Sequence, residues 1–315
     1  LEAAGTARVI VARLEDGDLM EDEAAARIAT ALTPDHLRMT PATTGRVNVF
    51  ASTNGLFRAS RDIVDRFNRI DPAITLACLA DRSDVRAGDM VATIKIIPLA
   101  VAGAAVNRAV ALLSGERAIE VLPYRPCRVA LIATELPTLK QSVMDKTRAI
   151  LEARLVSSGS TVAVEVRVAH NALAIAKAIR TVASDHGMII IFGASAVADV
   201  EDVVPGAIRM AGGSVVQVGL PVDPGNLLVL GEIGGVPVIG APGCARSPKE
   251  NGFDWVLNRI LAGETPTAEQ LTGLGVGGLL MEIPTRPLPR LGKAQAVGAL
   301  RVNAVVLAAG SASRM

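Results

Sequence analysis

Three segments of the chain gather hydroxyls, carboxylates, glycines and cations at loop spacing. In Thr134-Glu135-Leu136-Pro137-Thr138-Leu139-Lys140-Gln141-Ser142, the residues Thr134, Lys140 and Ser142 precede a helical pattern. A helix N-terminus exposes unpaired N–H groups and the positive end of its dipole, so hydroxyls and a lysine there can hold an anion. The plainer reading is a connecting loop with Ser142 as N-cap. The segment from Gly193 to Pro205 sets small residues, including Ser195, beside Asp199, Glu201 and Asp202. Small residues let backbone approach a ligand closely. The carboxylates suit Mg²⁺, with Asp199 and Glu201 as ligands, or a reacting group oriented by Asp199 or Asp202. Acidic residues ahead of a helix also serve as caps that complement the dipole. The third loop, Gly240-Ala241-Pro242-Gly243-Cys244-Ala245-Arg246-Ser247, runs into Ser247-Pro248-Lys249-Glu250, a capping-box pattern that predicts a helix from Ser247 to Leu261. Gly243, Arg246, Ser247 and Lys249 would then surround one helix N-terminus. Cations oppose the dipole at that end, so they need a negative partner, and phosphate fits.

Strands must carry these loops. Arg128–Thr134 reads as a buried strand, and Ser142–Leu155 places Val143, Thr147, Ile150, Leu151 and Leu155 on one helical face. Thr161–Val168 alternates as a strand, Asn171–Ser184 is an Ala-rich helix, Gly187–Phe192 is a central strand and Val203–Met210 a short helix. That β-α order implies parallel strands joined by right-handed crossovers in a three-layer α/β sandwich. All three loops then fall at the carboxyl ends of strands, where open α/β sheets bind ligands. Leu227–Gly231 and Val236–Ile239 form a hairpin around Gly234-Gly235, and Thr267 with Gln270 starts another short helix. Upstream, β-rich runs at Ile74–Leu79 and Met90–Ile97 mix with helical patterns at Ile63–Ile70 and Ala104–Leu113, a smaller α/β domain of unassigned role. Pro123 and Pro126 mark its end. The expected domains are residues 1–122, then 123–284, a Pro-rich linker at 285–300, and the start of a further domain at 301–315.

Composition supports this division and removes other classes. A chain of 315 residues is long for one core, and with 50% hydrophobic but only 2% aromatic residues its cores must be built from Val, Ile, Leu and Ala. Such side chains suit parallel sheets covered on both faces. Thirty-two basic against 31 acidic residues leave a net charge of +1, too little field for nonspecific nucleic-acid binding. The mean hydropathy of +0.40 is high. Even so, the longest apolar runs, Ile96–Val106 and Gly187–Ala198, fall short of the roughly 20 residues a bilayer helix needs. Cys78, Cys127 and Cys244 are odd in number and far apart, which fits a reducing cytoplasm, and no signal peptide precedes them. The start at Leu1 suggests a non-native N-terminus. His36, His170 and His186 lack metal spacing and read as helix-end or surface residues; Cys244 reads as a small buried thiol, Phe253 and Trp255 as core anchors, and Thr43–Asn48 as a turn into a strand.

Gly193–Pro205, then Val222-Asp223-Pro224-Gly225-Asn226-Leu227-Leu228, the hairpin and Gly240–Gly243 follow in an order that resembles the molybdopterin-binding domain shared by molybdopterin adenylyltransferases and molybdopterin molybdotransferases. The resemblance spans Arg128–Leu280. It implies molybdopterin as ligand, with Pro224, Gly225 and Asn226 joining Thr134, Lys140, Ser142, Gly193, Ser195, Gly243, Arg246, Ser247 and Lys249 in holding it. It also implies a catalytic aspartate: Asp199 on the molybdotransferase pattern, Asp202 on the adenylyltransferase pattern. Ala194 and Ala198 stand where the family has glycines, which restricts positive φ there.

The tail gives a second resemblance. Leu307-Ala308-Ala309-Gly310-Ser311-Ala312-Ser313-Arg314-Met315 is similar to the opening loop of nucleotidyltransferases that act on molybdopterin or sugar phosphates, in which Gly310 and Arg314 would serve the nucleotide phosphates. Ala312 replaces the usual glycine. Together the two resemblances imply a fusion like the molybdenum-cofactor cytidylyltransferases, whose pterin-binding region presents a pterin phosphate to a transferase domain that would begin near residue 301. Two alternatives are a self-sufficient adenylyltransferase or molybdotransferase using Asp199 or Asp202 with Mg²⁺, and a non-catalytic assembly domain. The implied partners are the pterin phosphate, further copies of the chain in a homo-oligomer, and molybdoenzymes or their chaperones.

Overall fold

In the computed structural model of the protein the described residues are 13–32, 35–136 and 141–280, so Lys140, the linker and the tail with Gly310 and Arg314 lie outside them. The chain divides into two compact units. The first holds the described residues up to Pro126 with Ser157–Gly159 and Asn258–Thr265; the second holds Cys127–Val156, Ser160–Leu257 and the described residues from Pro266.

The first unit is built from β1 (Asp18–Met20), α1 (Glu21–Ala31), β2 (Leu37–Met39), β3 (Arg46–Ala51), β4 (Gly55–Ala59), α2 (Arg61–Asn68), β5 (Ile74–Cys78), β6 (Ser83–Val85), β7 (Met90–Ile96), β8 (Ala100–Ala102), α3 (Gly103–Gly115) and β9 (Ile119–Pro123). Its strands pair as β2-β3-β7-β5, β6-β4-β9 and β1-β8, all antiparallel. Strand residues such as Val47, Val49, Ile94 and Ile96 alternate inward and join Ile28, Phe67 and Val106 from the helices in one core. Thr43 and Arg46 bridge across the turn that leads into β3.

The second unit follows the strand–helix alternation: β10 (Arg128–Glu135), α4 (Gln141–Leu155), β11 (Thr161–Ala169), α5 (Ala172–Val182), β12 (Met188–Phe192), α6 (Val203–Met210), β13 (Ser214–Val218), β14 (Val229–Ile233), β15 (Val236–Ala241), α7 (Gly252–Leu261) and α8 (Ala268–Thr272). The sheet order is β11-β10-β12-β15-β14-β13. The first four strands are mutually parallel, and β14 is antiparallel to both neighbours. Side-chain alternation sorts the two faces. Ala130, Ile132, Ile189, Ile191 and Val238 pack with Ile175 and Ile179 of α5 and Ala207 and Ile208 of α6. Phe192 points to the opposite face, where its ring centroid lies 6.2 Å from that of Phe253 in α7. The result is an α/β three-layer sandwich on a mostly parallel sheet. All five residues of β12 are buried, as a central strand covered on both faces requires.

Local expectations shift in three places. The buried side of α4 is Met144, Thr147, Leu151 and Leu155, while Val143 is exposed, so the apolar stripe is rotated by one residue in its first turn. Strand β13 pairs with β14, an edge the sequence pattern had not marked. Helix α7 begins at Gly252 and not at Ser247. Phe253 N donates to Asn251 Oδ1 (3.1 Å) and Asn251 N donates to Asp254 Oδ2 (2.8 Å), a reciprocal cap four residues downstream of the expected one. Thr267 and Gln270, in contrast, form the capping box at α8 as expected. No helix among the described residues is long and apolar enough to cross a membrane.

Candidate functional site

The connections leaving β10 and β12 run in opposite directions. From β10 the chain passes through α4 to β11 on one side of the sheet, and from β12 through α6 to β13 on the far side. Adjacent parallel strands whose connections diverge leave a crevice beyond their carboxyl ends, the switch point at which open α/β sheets take ligands. Thr134 lies near the end of β10, and Gly193 follows β12 directly.

A chain of hydrogen bonds closes the floor of this crevice. Thr134 is 1% exposed. Its Oγ1 accepts from Ala194 N (2.7 Å), stands 2.8 Å from His170 Nδ1, and is 3.4 Å from the carbonyl oxygen of Phe192. His170 Nε2 stands 2.7 Å from Ser195 Oγ. One assignment uses every proton: Thr134 O–H donates to Phe192 O, His170 Nδ1–H donates to Thr134 Oγ1, and Ser195 O–H donates to Nε2. Burial lowers the His170 pKa below its ordinary value, against the smaller opposing pull of Asp202, which disfavours the imidazolium. The amide of Ala194 is thus spent on Thr134.

Arg246 reaches the same crevice from the loop after β15. Its Nη2 donates to the carbonyl of Gly193 (2.9 Å), and its guanidinium lies 5.3 Å from the centroid of the Phe192 ring. Burial lowers its pKa, and it forms no ion pair among the described residues. A half-buried cation whose neighbours are a carbonyl and an aromatic face has lost water without gaining a counter-charge, and so favours an anion. Arg154 of α4, which sequence reasoning missed, shapes the loop behind it. Its Nε pairs with Asp254 Oδ1 (2.5 Å), while Nη1 and Nη2 donate to the carbonyls of Ala245 (2.9 Å) and Ser247 (2.6 Å). With those carbonyls held, Gly243–Arg246 forms a short 3-10 turn within the expected loop, and the helix starts at Gly252 and not at Ser247.

The remaining candidates take other places. Asp202 caps α6: Oδ2 accepts from Ala198 N (2.8 Å) and Oδ1 from Val203 N (3.3 Å). Asp199 Oδ1 accepts from Glu201 N (2.7 Å), and Glu201 pairs with Arg209 at 3.5 Å on the surface. No group of three or more His, Cys, Asp or Glu side chains among the described residues is placed to hold a metal ion. Ser247 Oγ accepts from Lys249 N (3.3 Å), Lys249 is exposed, and Ser142 is exposed in the first turn of α4. Pro224–Asn226 is tied to the start of α7, with Gly252 N donating to Pro224 O (2.8 Å). Thr134, Gly193, Ser195 and Arg246 are therefore brought together, with His170 and Phe192 added by the fold.

Fold and site together define an α/β three-layer sandwich with a half-buried arginine at the switch point of its sheet. No family model matches the chain, and no curated protein matches it. Among solved structures it is similar to the molybdopterin biosynthesis moeA protein of Pyrococcus horikosii, at 14% identity and a TM-score of 0.33 over 78% of this chain and 79% of that one. A second crystal structure, of the molybdopterin biosynthesis moeA protein of Pyrococcus horikoshii OT3, aligns at 10% identity and a TM-score of 0.28, covering 81% and 79%.

Proposed function

We propose that the second unit binds molybdopterin through its phosphate, as part of a molybdenum-cofactor biosynthesis protein. The observation that supports this most is Arg246, half-buried at the switch point and without an ion pair among the described residues. Ser195 and the loop after β12 would supply hydroxyl and backbone contacts, and Ser142, Gly243, Ser247 and Lys249 would line the outer rim; Lys140 belongs to the same reading through its sequence motif alone. Pro224, Gly225 and Asn226 would act by fixing the start of α7. Both oxygens of Asp202 are engaged by backbone N–H groups, so Asp199 is the better candidate for a group acting on the ligand. Asp199 and Glu201 do not by themselves build a Mg²⁺ site; with the oxygens of a bound phosphate they could share one. The fusion to a cytidylyltransferase, with Gly310 and Arg314 at its nucleotide loop, rests on the tail motif. Assembly as a homo-oligomer, delivery to molybdoenzymes or their chaperones and a cytoplasmic setting belong to the same reading.

Equilibrium titration with molybdopterin, followed by pterin fluorescence, tests it. Saturable binding competed by inorganic phosphate is expected; absence of binding by the folded protein would overturn the reading.

A further inference from the structure

We propose that Ser195 is a nucleophile, with His170 as its base and Thr134 as the residue that positions the imidazole, and that it accepts acyl groups from esters or thioesters of anionic compounds. The inference goes beyond the pterin reading and does not depend on it.

Its ground is the geometry of three side chains. Ser195 Oγ lies 2.7 Å from His170 Nε2, and His170 Nδ1 lies 2.8 Å from Thr134 Oγ1. A hydroxyl within hydrogen-bond reach of a base, and a base held by a third group, is the arrangement that activates a serine. Thr134 is rigid because it is buried and its oxygen is also held by Ala194 N. Since the Thr134 hydroxyl can donate its hydrogen bond to the Phe192 carbonyl, its oxygen is free to accept Nδ1–H, which leaves the Nε2 lone pair facing Ser195. Ser195 follows the carboxyl end of β12, where a ligand in the crevice would meet it.

The substrate class follows from the charges. Attack on an acyl carbon gathers one negative charge on one oxygen, a modest demand for a neutral imidazole and a nearby cation, whereas a phosphate dianion repels the incoming oxygen. Arg246, bound to the carbonyl two residues before Ser195, selects compounds that carry an anionic group. In the first step Ser195 Oγ bonds to the acyl carbon as its proton moves to His170 Nε2. The C–O or C–S bond to the leaving group then breaks, and the leaving alkoxide or thiolate takes that proton. Water, or a second hydroxyl or amine, attacks the acyl-serine, gives its proton to His170, and Ser195 Oγ leaves with the proton restored.

The test uses the full chain with p-nitrophenyl acetate and its anionic analogue mono-p-nitrophenyl succinate, the faster of the two on the proposal, and, separately, a fluorophosphonate. A stoichiometric burst of p-nitrophenolate and a covalent adduct on the peptide containing Ser195 are expected. Ser195→Ala should abolish the adduct with an unchanged thermal unfolding curve. His170→Gln should slow the burst about 100-fold, the lower end of what a general base contributes. Thr134→Ser should label normally and Thr134→Val slowly, with a shifted pH profile, as a positioning role requires. No adduct on Ser195 in the folded parent, or labelling unaffected by Ser195→Ala, overturns the proposal. Neither outcome bears on pterin affinity, which the fluorescence titration reads separately.

Discussion

The guanidinium of Arg246 lies over the ring of Phe192 at 5.3 Å and donates to the carbonyl of Gly193, the first residue after the strand. One side chain thus ties the loop after β15 to the loop after β12. Arg246→Ala removes a charged hydrogen bond and the cation–π contact but also relieves the fold of a desolvated cation without a counter-charge, so its net cost in stability should stay within about 1 kcal/mol. Urea unfolding of the variant checks this; a loss of about 3 kcal/mol would mean the arginine serves the fold and not a ligand.

Thr134→Val keeps the shape of the side chain but leaves the Ala194 N–H without its acceptor. A half-buried donor left unsatisfied costs about 1 kcal/mol, the lower end of the range for buried groups. Thr134→Ser should restore most of that loss, and paired denaturation curves of the two variants decide it.

Folding lowers the His170 pKa from 6.5. The unfolded chain therefore binds a proton at a higher pH than the folded one. The stability tied to this residue is fully present above pH 6.5 and is lost as pH falls toward the folded value. Melting temperatures between pH 8 and pH 5 should drop less steeply for His170→Gln than for the parent, at about the pH scale set by an ordinary imidazole.

Two glycines in the family-like motifs should respond differently to alanine. A Cβ on Gly225, whose φ is +133°, would meet Gly252 N at 2.5 Å and Gly252 Cα at 2.6 Å, both backbone atoms. Gly225→Ala should destabilise the junction with α7 by about 1–3 kcal/mol, visible as faster amide exchange in its first turn. A Cβ on Gly243 meets nothing within 4 Å, so Gly243→Ala should leave the exchange unchanged.

Which features could be read from the sequence follows from how far apart their causes lie. The run Met188–Phe192 announces a buried strand by itself, and Thr267 needs only Gln270 to form its box. The same local logic failed at Ser247, because Arg154, 91 and 93 positions earlier, captures the carbonyls of Ala245 and Ser247, and Asn251 with Asp254 caps the helix instead. His170 passed as a helix-end residue because its partners Thr134 and Ser195 are 36 and 25 positions away. Its place just after β11 and ahead of α5, with β11 parallel to β10, is the one signal that it belongs to the carboxyl-end edge. The charge of Arg246 is legible in the sequence, but its contacts with Phe192 and Gly193 are made only by the fold.

The central claim, that Arg246 at the switch point holds a pterin phosphate, is tested most directly by calorimetric titration of parent and Arg246→Ala with molybdopterin and with its dephosphorylated form. The account predicts that the parent prefers the phosphorylated ligand and that Arg246→Ala, shown to be folded, loses about tenfold in affinity for it, the loss of roughly 1.4 kcal/mol, while its affinity for the dephosphorylated form barely changes. Equal affinity of parent and variant for the phosphorylated ligand would contradict it.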